Sequence, residues 1–314
     1  MQISSGIAYF GNSSQGNVVD KINHAMECDI DNIQLLNTEI KKTNIESIRS
    51  LDYQGNISCY LDDMSWINGY VEESKEQFDK LKEIGVSSLV IPTMIEKDEY
   101  KKMSQEEKVK LLSNRASLVR NMAMLGFDIS LMNDNDSNSL YLGEAVLVLC
   151  DSLDPSMSNK IGLGVEVSNR QDGNLAKLDF NKVKTVNYLP VTNDRYIDYP
   201  ETRREIGNSV SEMVRFGHVP SVYAVCDKSM DLGMVTSTNS LLKDIIDEVE
   251  YRNGDTSSYI KTKGRRMSGY HEMGVSSDVP SRNELGFVNL MQLFMIIAVF
   301  CLIGSMIAVI LVLL

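Results

Sequence analysis

The sequence predicts an α/β chain in three parts: a (β/α)8 barrel over residues 1–251, a flexible linker over 252–285 and a single membrane helix over 286–314. Three observations lead there. Up to about residue 250, short apolar or β-branched runs alternate with longer amphipathic ones, the rhythm of βα units around a parallel sheet. About eight such units in about 250 residues is the size of a closed eight-stranded barrel. After Glu284 no charged side chain follows, and Leu293–Leu314 is apolar but for Gly304 and Ser305.

The strands are expected at Ile3–Phe10, Asn32–Leu36, Ile57–Leu61, Ser87–Ile91, Phe127–Met132, Ile161–Val167, Lys184–Leu189 and Ser221–Cys226. Several are continuous apolar runs, as strands covered on both faces are. Helices are expected at Val18–Glu27, Glu72–Ile84, Ser104–Met124, Leu142–Asp151, Glu201–Phe216 and Ser240–Val249. Ser104 with Glu107 has the spacing of a capping box. The stretch Asn169–Asn174 is turn-like, so the sixth unit lacks a clear helix. A doubly wound open sheet is the alternative architecture. It would normally carry a glycine-rich first turn, and Gly11–Gly16 does not fit G-x-G-x-x-G.

The apolar stretch is long enough for a bilayer core, which takes about 20 helical residues. In lipid a helix satisfies every backbone N–H and C=O. The first ten residues lack a basic start followed by an apolar core, so no secretory signal is expected, and a lipid-anchor attachment signal is disfavoured with it. The expected arrangement is a single-pass tail anchor with the bulk of the chain cytosolic, on the endoplasmic reticulum or later secretory membranes. Lys261, Lys263, Arg265 and Arg266 form the densest basic cluster, and Arg282 lies nearer the span. They suit a cytosolic face and either touch anionic lipid or sit in a solvated linker.

The formal net charge of −12 falls before the span and disfavours nucleic acid as a partner. Five single cysteines with no CxxC suit a reducing compartment. At barrel strand ends, where reacting groups sit, the sequence places Glu39, Asp62, Asp63, Asn133, Asp134, Glu166, Asn193, Asp194 and Asp227. Such oxygen ligands suit Mg²⁺ or Mn²⁺. Asp and Asn equally serve turns and helix caps, which is the expected role at most of these positions. Glu166 is different, because it lies inside the strand Gly162–Val167, where a charged group needs a partner or a shifted pKa. The three histidines, His24, His218 and His271, fall away from the predicted strand ends. No GxSxG, HExxH, phosphate loop or paired-cysteine metal pattern occurs.

Particular words also carry a resemblance. Ser4-Ser5-Gly6 opens the first strand, Ile84-Gly85 precedes Leu89–Pro92, Leu149-Cys150-Asp151 precedes Ile161–Val167, and Lys184–Asn193 reads KTVNYLPVTN. In these the chain resembles the N-terminal TIM-barrel domain of the type II, symmetric-dimethylating protein arginine methyltransferases, over roughly 200 residues. The family's catalytic half, with its S-adenosylmethionine site and paired glutamates, has no counterpart here. The resemblance therefore implies a pseudoenzyme, with no catalytic residue and no cofactor or metal. It also implies protein partners, such as a WD-repeat protein or further copies of the chain.

Two functions follow as expectations. One is a membrane-tethered, non-catalytic scaffold that acts by protein–protein contact, its local concentration raised by the anchor. The alternative is a divalent-metal barrel enzyme similar to sugar-phosphate isomerases and epimerases, with Glu166 as ligand or base and Asp134, Asp194 and Asp62 around it. A membrane-fusion protein is disfavoured, because Ser240–Val249 is too short for a heptad helix before the span.

Overall fold

A computed structural model describes residues 3–11, 14–63, 71–133, 138–167, 183–191, 197–215 and 221–252. The strands are β1 (Ser4–Tyr9), β2 (Asn32–Leu36), β3 (Asn56–Tyr60), β4 (Val86–Pro92), β5 (Met94–Glu96), β6 (Asp128–Asn133), β7 (Ser139–Tyr141), β8 (Ile161–Val167), β9 (Val183–Val191) and β10 (Ser221–Cys226). The helices are α1 (Val18–Glu27), α2 (Asn37–Ile40), α3 (Ile45–Arg49), α4 (Val71–Glu83), α5 (Lys97–Lys102), α6 (Gln105–Met124), α7 (Gly143–Leu153), α8 (Pro200–Arg215) and α9 (Leu232–Arg252).

Eight strands close into a parallel barrel in the order β1-β10-β9-β8-β6-β4-β3-β2, with β1 pairing both β10 and β2. The expected (β/α)8 barrel is therefore present and the open sheet is excluded. β5 and β7 stand apart as a two-stranded antiparallel ribbon. That ribbon and the short helices α2, α3 and α5 were not anticipated by periodicity, which needs longer runs to register. The linker and the span over 252–314 lie almost wholly outside the described residues. Among the described residues no helix is long and apolar enough to cross a membrane.

Alternation along each strand divides it between two environments. Ile7 and Tyr9, Ile33 and Leu35, Leu89 and Ile91, Ile129 and Leu131, Leu163 and Val165, and Val222 and Ala224 all join one buried cluster with the inner stripes of the helices. That cluster is the main core, between barrel and helices. The intervening residues face the barrel axis. There Ala8, Tyr223 and Val225 make a separate cluster, with Phe10 against it.

The axial interior is more polar than most cores. Gln34, Ser58, Ser130 and Thr185 are all buried. Ser130 Oγ and Thr185 Oγ1 lie 2.7 Å apart, joining β6 to β9 across the intervening β8. Gly162 and Gly164 of β8 stand opposite Ser130 and Met132 in register, and their missing side chains leave the room for this bridge. A Cβ on Gly164 would sit 3.1 Å from Met132 Sδ. Gly6 is tighter still, because a Cβ there would come within 2.4 Å of the Asn32 carbonyl oxygen. Both glycines are packing requirements of a narrow barrel.

The seam between the chain's two described ends is also fixed. Gln15 is buried; its Oε1 accepts from Gly11 N, and its Nε2 donates to the carbonyls of Cys226 and Asp227 at 3.1 Å. At the opposite end of the barrel Ile3 N donates to Glu250 Oε1 at 2.6 Å.

Candidate functional site

The C-terminal ends of the barrel strands form the mouth, where a barrel of this kind places reacting groups. The predicted site residues fare differently there. Glu166 is the last inward position of β8, two residues beyond Gly164 on the same face, and is half-buried. Its backbone N–H donates to Asn133 Oδ1 at 2.9 Å, so the end of β6 fixes the end of β8. Phe10 and Tyr60 lie on the same inner face. Their rings meet edge to face, with centroids 5.2 Å apart, and give the mouth an apolar flank.

Asp62 is tied to the neighbouring loop, as turn chemistry would have it. Its Oδ1 accepts from Thr38 N at 3.0 Å, and its Oδ2 accepts from the Thr38 hydroxyl. Asp63 pairs with Lys41 at 2.7 Å. Asp227 Oδ1 accepts from Ser229 N and Oγ. Asp134 and Asp194 lie outside the described residues, as do Asn193, His218 and His271. Among the described residues no three His, Cys, Asp or Glu side chains come together to hold a metal ion.

Glu39, in α2 just beyond the end of β2, has a basic partner that its strand-end position alone does not reveal. Lys21 of α1 reaches it at 2.5 Å and also donates to the Tyr9 carbonyl at 3.3 Å. The Lys21 side chain is fully enclosed while that of Glu39 keeps 15% of its exposure. Burial pulls the Lys21 ammonium below its ordinary range, and the hydrogen bond and charge of Glu39 oppose that pull. A sign of this pair was present in the sequence: Lys21 occupies the apolar stripe Val18, Ile22, Ala25 of α1, all buried.

His24 lies on the outer side of β1, as its helical position predicts, and serves packing. Its Nδ1 meets the Tyr9 hydroxyl at 2.9 Å and its Nε2 the Thr236 hydroxyl at 2.9 Å, linking β1, α1 and α9. Burial lowers its pKa. Inside the barrel Tyr223 bonds Ser58, but burial prevails and pushes its phenol up to about 12. The thiols of Cys59 and Cys226 are raised by burial too, as for small apolar fillers.

No family model and no curated protein matches the chain. Solved structures do. A D-tagatose 3-epimerase-like protein aligns with TM-score 0.57 at 13% identity, over 80% of this chain and 100% of that one. L-ribulose 3-epimerase aligns with TM-score 0.55 at 10% identity, over 82% and 98%. The 3-keto-D-glucoside 4-epimerase from E. coli aligns with TM-score 0.55 at 15% identity, over 78% and 99%. These likenesses overturn the resemblance to the arginine methyltransferase barrel. The words behind it were short apolar strands and their glycine turns, which any parallel barrel needs, so they carried fold and not family. The pseudoenzyme and the non-catalytic scaffold rested on that resemblance and fall with it. At these identities the shared property is the fold, and the chain has the (β/α)8 barrel architecture of these sugar epimerases.

Proposed function

We propose that the chain is a barrel enzyme that epimerises or isomerises a small polyhydroxylated, sugar-type substrate at the strand-end mouth, with Glu166 moving the proton. The observation that carries this is the position of Glu166. It is a carboxylate that the described strands turn inward at the C-terminal end of the barrel, the level at which such a barrel places reacting groups. Two of the structural neighbours are an L-ribulose 3-epimerase and a 3-keto-D-glucoside 4-epimerase, which supports the same class.

The chemistry is a carboxylate's. A base that takes the proton from a carbon next to a carbonyl leaves an enediolate. Delivery of that proton by the same carboxylate to the neighbouring carbon exchanges aldose for ketose, whereas inversion takes a proton on the opposite face from a second acid or from water, the abstracted proton staying on the carboxylate. General acid–base transfer of this kind contributes about 10²–10⁴-fold. The Phe10–Tyr60 flank offers the apolar surface on which a sugar ring face can rest, and the strand-end polar groups offer hydroxyl partners. The described donors do not complete a divalent-metal site, so no step is drawn through one.

The test is hydrogen exchange from solvent D2O into a panel of ketohexoses and aldopentoses by the detergent-solubilised full chain. Exchange is expected with the wild type and should fall by about 10²–10⁴-fold in Glu166→Gln with the melting temperature unchanged. Exchange at the wild-type rate in that variant overturns the assignment. Stoichiometric Mn²⁺ binding by calorimetry, lost in the same variant, would replace proton transfer with metal ligation as the role of Glu166.

We further infer that residues 286–314 hold the barrel at a membrane, on its cytosolic face. The support is the uncharged apolar run Leu293–Leu314 and the basic residues before it. Retention in the membrane pellet after alkaline carbonate, lost on truncation after Glu284, is expected. Release of the full chain by carbonate refutes it.

A further inference from the structure

A second polar site lies on the outer side of the barrel wall, where β4, the β5–β7 ribbon and α6 meet. Arg115 is on the inner stripe of α6 with Ala116, Val119 and Met122, and is 8% exposed. Its Nη2 donates to the Met94 carbonyl at 3.2 Å. Its Nε and Nη1 are buried and have no hydrogen-bond partner among the described residues. No described carboxylate forms an ion pair with it. Glu99 acts on it only through its charge, in the direction that favours the guanidinium, against a burial that disfavours it.

The residue before Met94 repeats the pattern. Thr93 is 2% exposed, and its hydroxyl is buried with no partner among the described residues. Its backbone is fully engaged: its N–H donates to Met132 O, and its C=O accepts from Leu142 N. Leu89 and Ile91 of β4 belong to the core outside the barrel, so the alternation carries Thr93 to that same side, toward α6.

Buried polar groups are nearly always partnered, and a buried charge without a counter-charge is among the most destabilising arrangements a protein tolerates. A guanidinium has five N–H donors and no acceptor. Its missing partner must therefore be an acceptor, and a negatively charged oxygen matches it best. The Thr93 hydroxyl, on the same side of the wall and next in sequence to the Met94 carbonyl that Arg115 bonds, is a further donor. The surroundings are fixed rather than loose. Tyr141 Oη donates to the Leu131 carbonyl at 2.8 Å, and Lys97 N donates to the Asn138 carbonyl at 2.9 Å, so both ends of the ribbon are fastened over the wedge.

We propose that this wedge binds a small oxyanion, a phosphate or phosphate monoester, through Arg115 and Thr93. The site is separate from the mouth around Glu166 and does not depend on the reaction assigned there. Bound there, the anion neutralises Arg115 and ties α6 to the end of β4, beside the strand ends that line the mouth.

The test is thermal unfolding of the detergent-solubilised full chain in a chloride buffer and with millimolar inorganic phosphate. Wild type is expected to gain several degrees with phosphate, and Arg115→Met none. Without phosphate, Arg115→Met should melt no lower than wild type, because the substitution removes an uncompensated charge and keeps the apolar stem. Thr93→Val, which keeps the shape of the side chain, should weaken the apparent phosphate affinity by roughly tenfold, the loss of one hydrogen bond to a charged group. A hexose 6-phosphate arm, with the unphosphorylated hexose as control, separates the two sources. A larger shift with the monoester than with phosphate assigns a phosphorylated ligand, and equal shifts assign free phosphate. No shift in wild type, or the same shift in Arg115→Met and Thr93→Val, overturns the site and leaves an internal water as the partner of these groups.

Discussion

Removing either half of the Lys21–Glu39 pair should give unequal losses, because the two side chains are enclosed to different degrees. In Lys21→Met the apolar stem is kept and the ammonium goes. Glu39 retains 15% of its side-chain exposure and can turn to solvent, so the loss is set by the ion pair and one weak bond to the Tyr9 carbonyl. About 1–2 kcal/mol is expected, nearer an exposed pair than a buried one. In Glu39→Gln the ammonium of Lys21 stays behind with no exposure and one carbonyl at 3.3 Å. Stranding a buried charge costs about 3–5 kcal/mol. Lysine has an escape, which sets a ceiling. Neutralising it at pH 7 costs about 1.4 kcal/mol for each unit below its ordinary value of 10.5, or about 5 kcal/mol.

The pH dependence follows with a definite sign. In the folded chain Lys21 releases its proton below 10.5, so between its lowered value and 10.5 the unfolded chain holds more protons. Stability then rises with pH through that window. Glu39→Gln widens the window downward, so its deficit against wild type should shrink as pH rises from 7 to 9. Urea unfolding of the solubilised full chain, followed by circular dichroism at pH 7, 8 and 9, measures all of this. A Lys21→Met loss equal to or greater than that of Glu39→Gln, or a Glu39→Gln deficit that is flat in pH, would refute the reasoning.

Two further outcomes are expected. Alanine at Gly6 and at Gly164 should differ, since the first Cβ meets backbone at 2.4 Å and the second meets the movable end of Met132 at 3.1 Å. Overpacking of this kind costs about 1–3 kcal/mol, and Gly6→Ala should lie at or above the upper end with Gly164→Ala near the lower, read as urea midpoints. His24 has its pKa lowered by burial, so the unfolded chain protonates first and the stability it contributes is present above about 6.5 and lost as pH falls. His24→Gln should flatten the fall in melting temperature between pH 6.5 and 5, and an unchanged slope would exclude His24 as its source.

The barrel was legible because its strands obey a strong local rule. Each predicted run overlaps its observed strand to within about two residues at either end. α9 was the exception among the helices. It starts at Leu232, not Ser240, because Gly233 and the Ser and Thr residues of its first turns argue against helix, while burial of Val235, Thr238 and Asn239 decides for it. Glu166 was legible for the opposite reason: a charge within an apolar strand breaks the rule it sits in. Asp62 could not be sorted from sequence, because its bond to Thr38 joins two loops that only the closed barrel brings together.

Lys21 and Arg115 share one sign in the sequence, a basic residue on the apolar stripe of a barrel helix. Long cations at such positions lay their stems on the core and carry the head toward the helix N-terminus, which here is the strand-end side. What they meet depends on what stands at that level. Lys21 is the fourth residue of α1, about one turn from the rim, and meets the carboxylate of Glu39. Arg115 is the eleventh residue of α6, about 15 Å down the helix, and reaches only as far as the Met94 carbonyl beneath the β5–β7 ribbon. The first cation is neutralised within the fold and holds Glu39 at the rim of the mouth. The second is covered before it meets a carboxylate, and this difference in depth is why the oxyanion is assigned to Arg115 and not to Lys21.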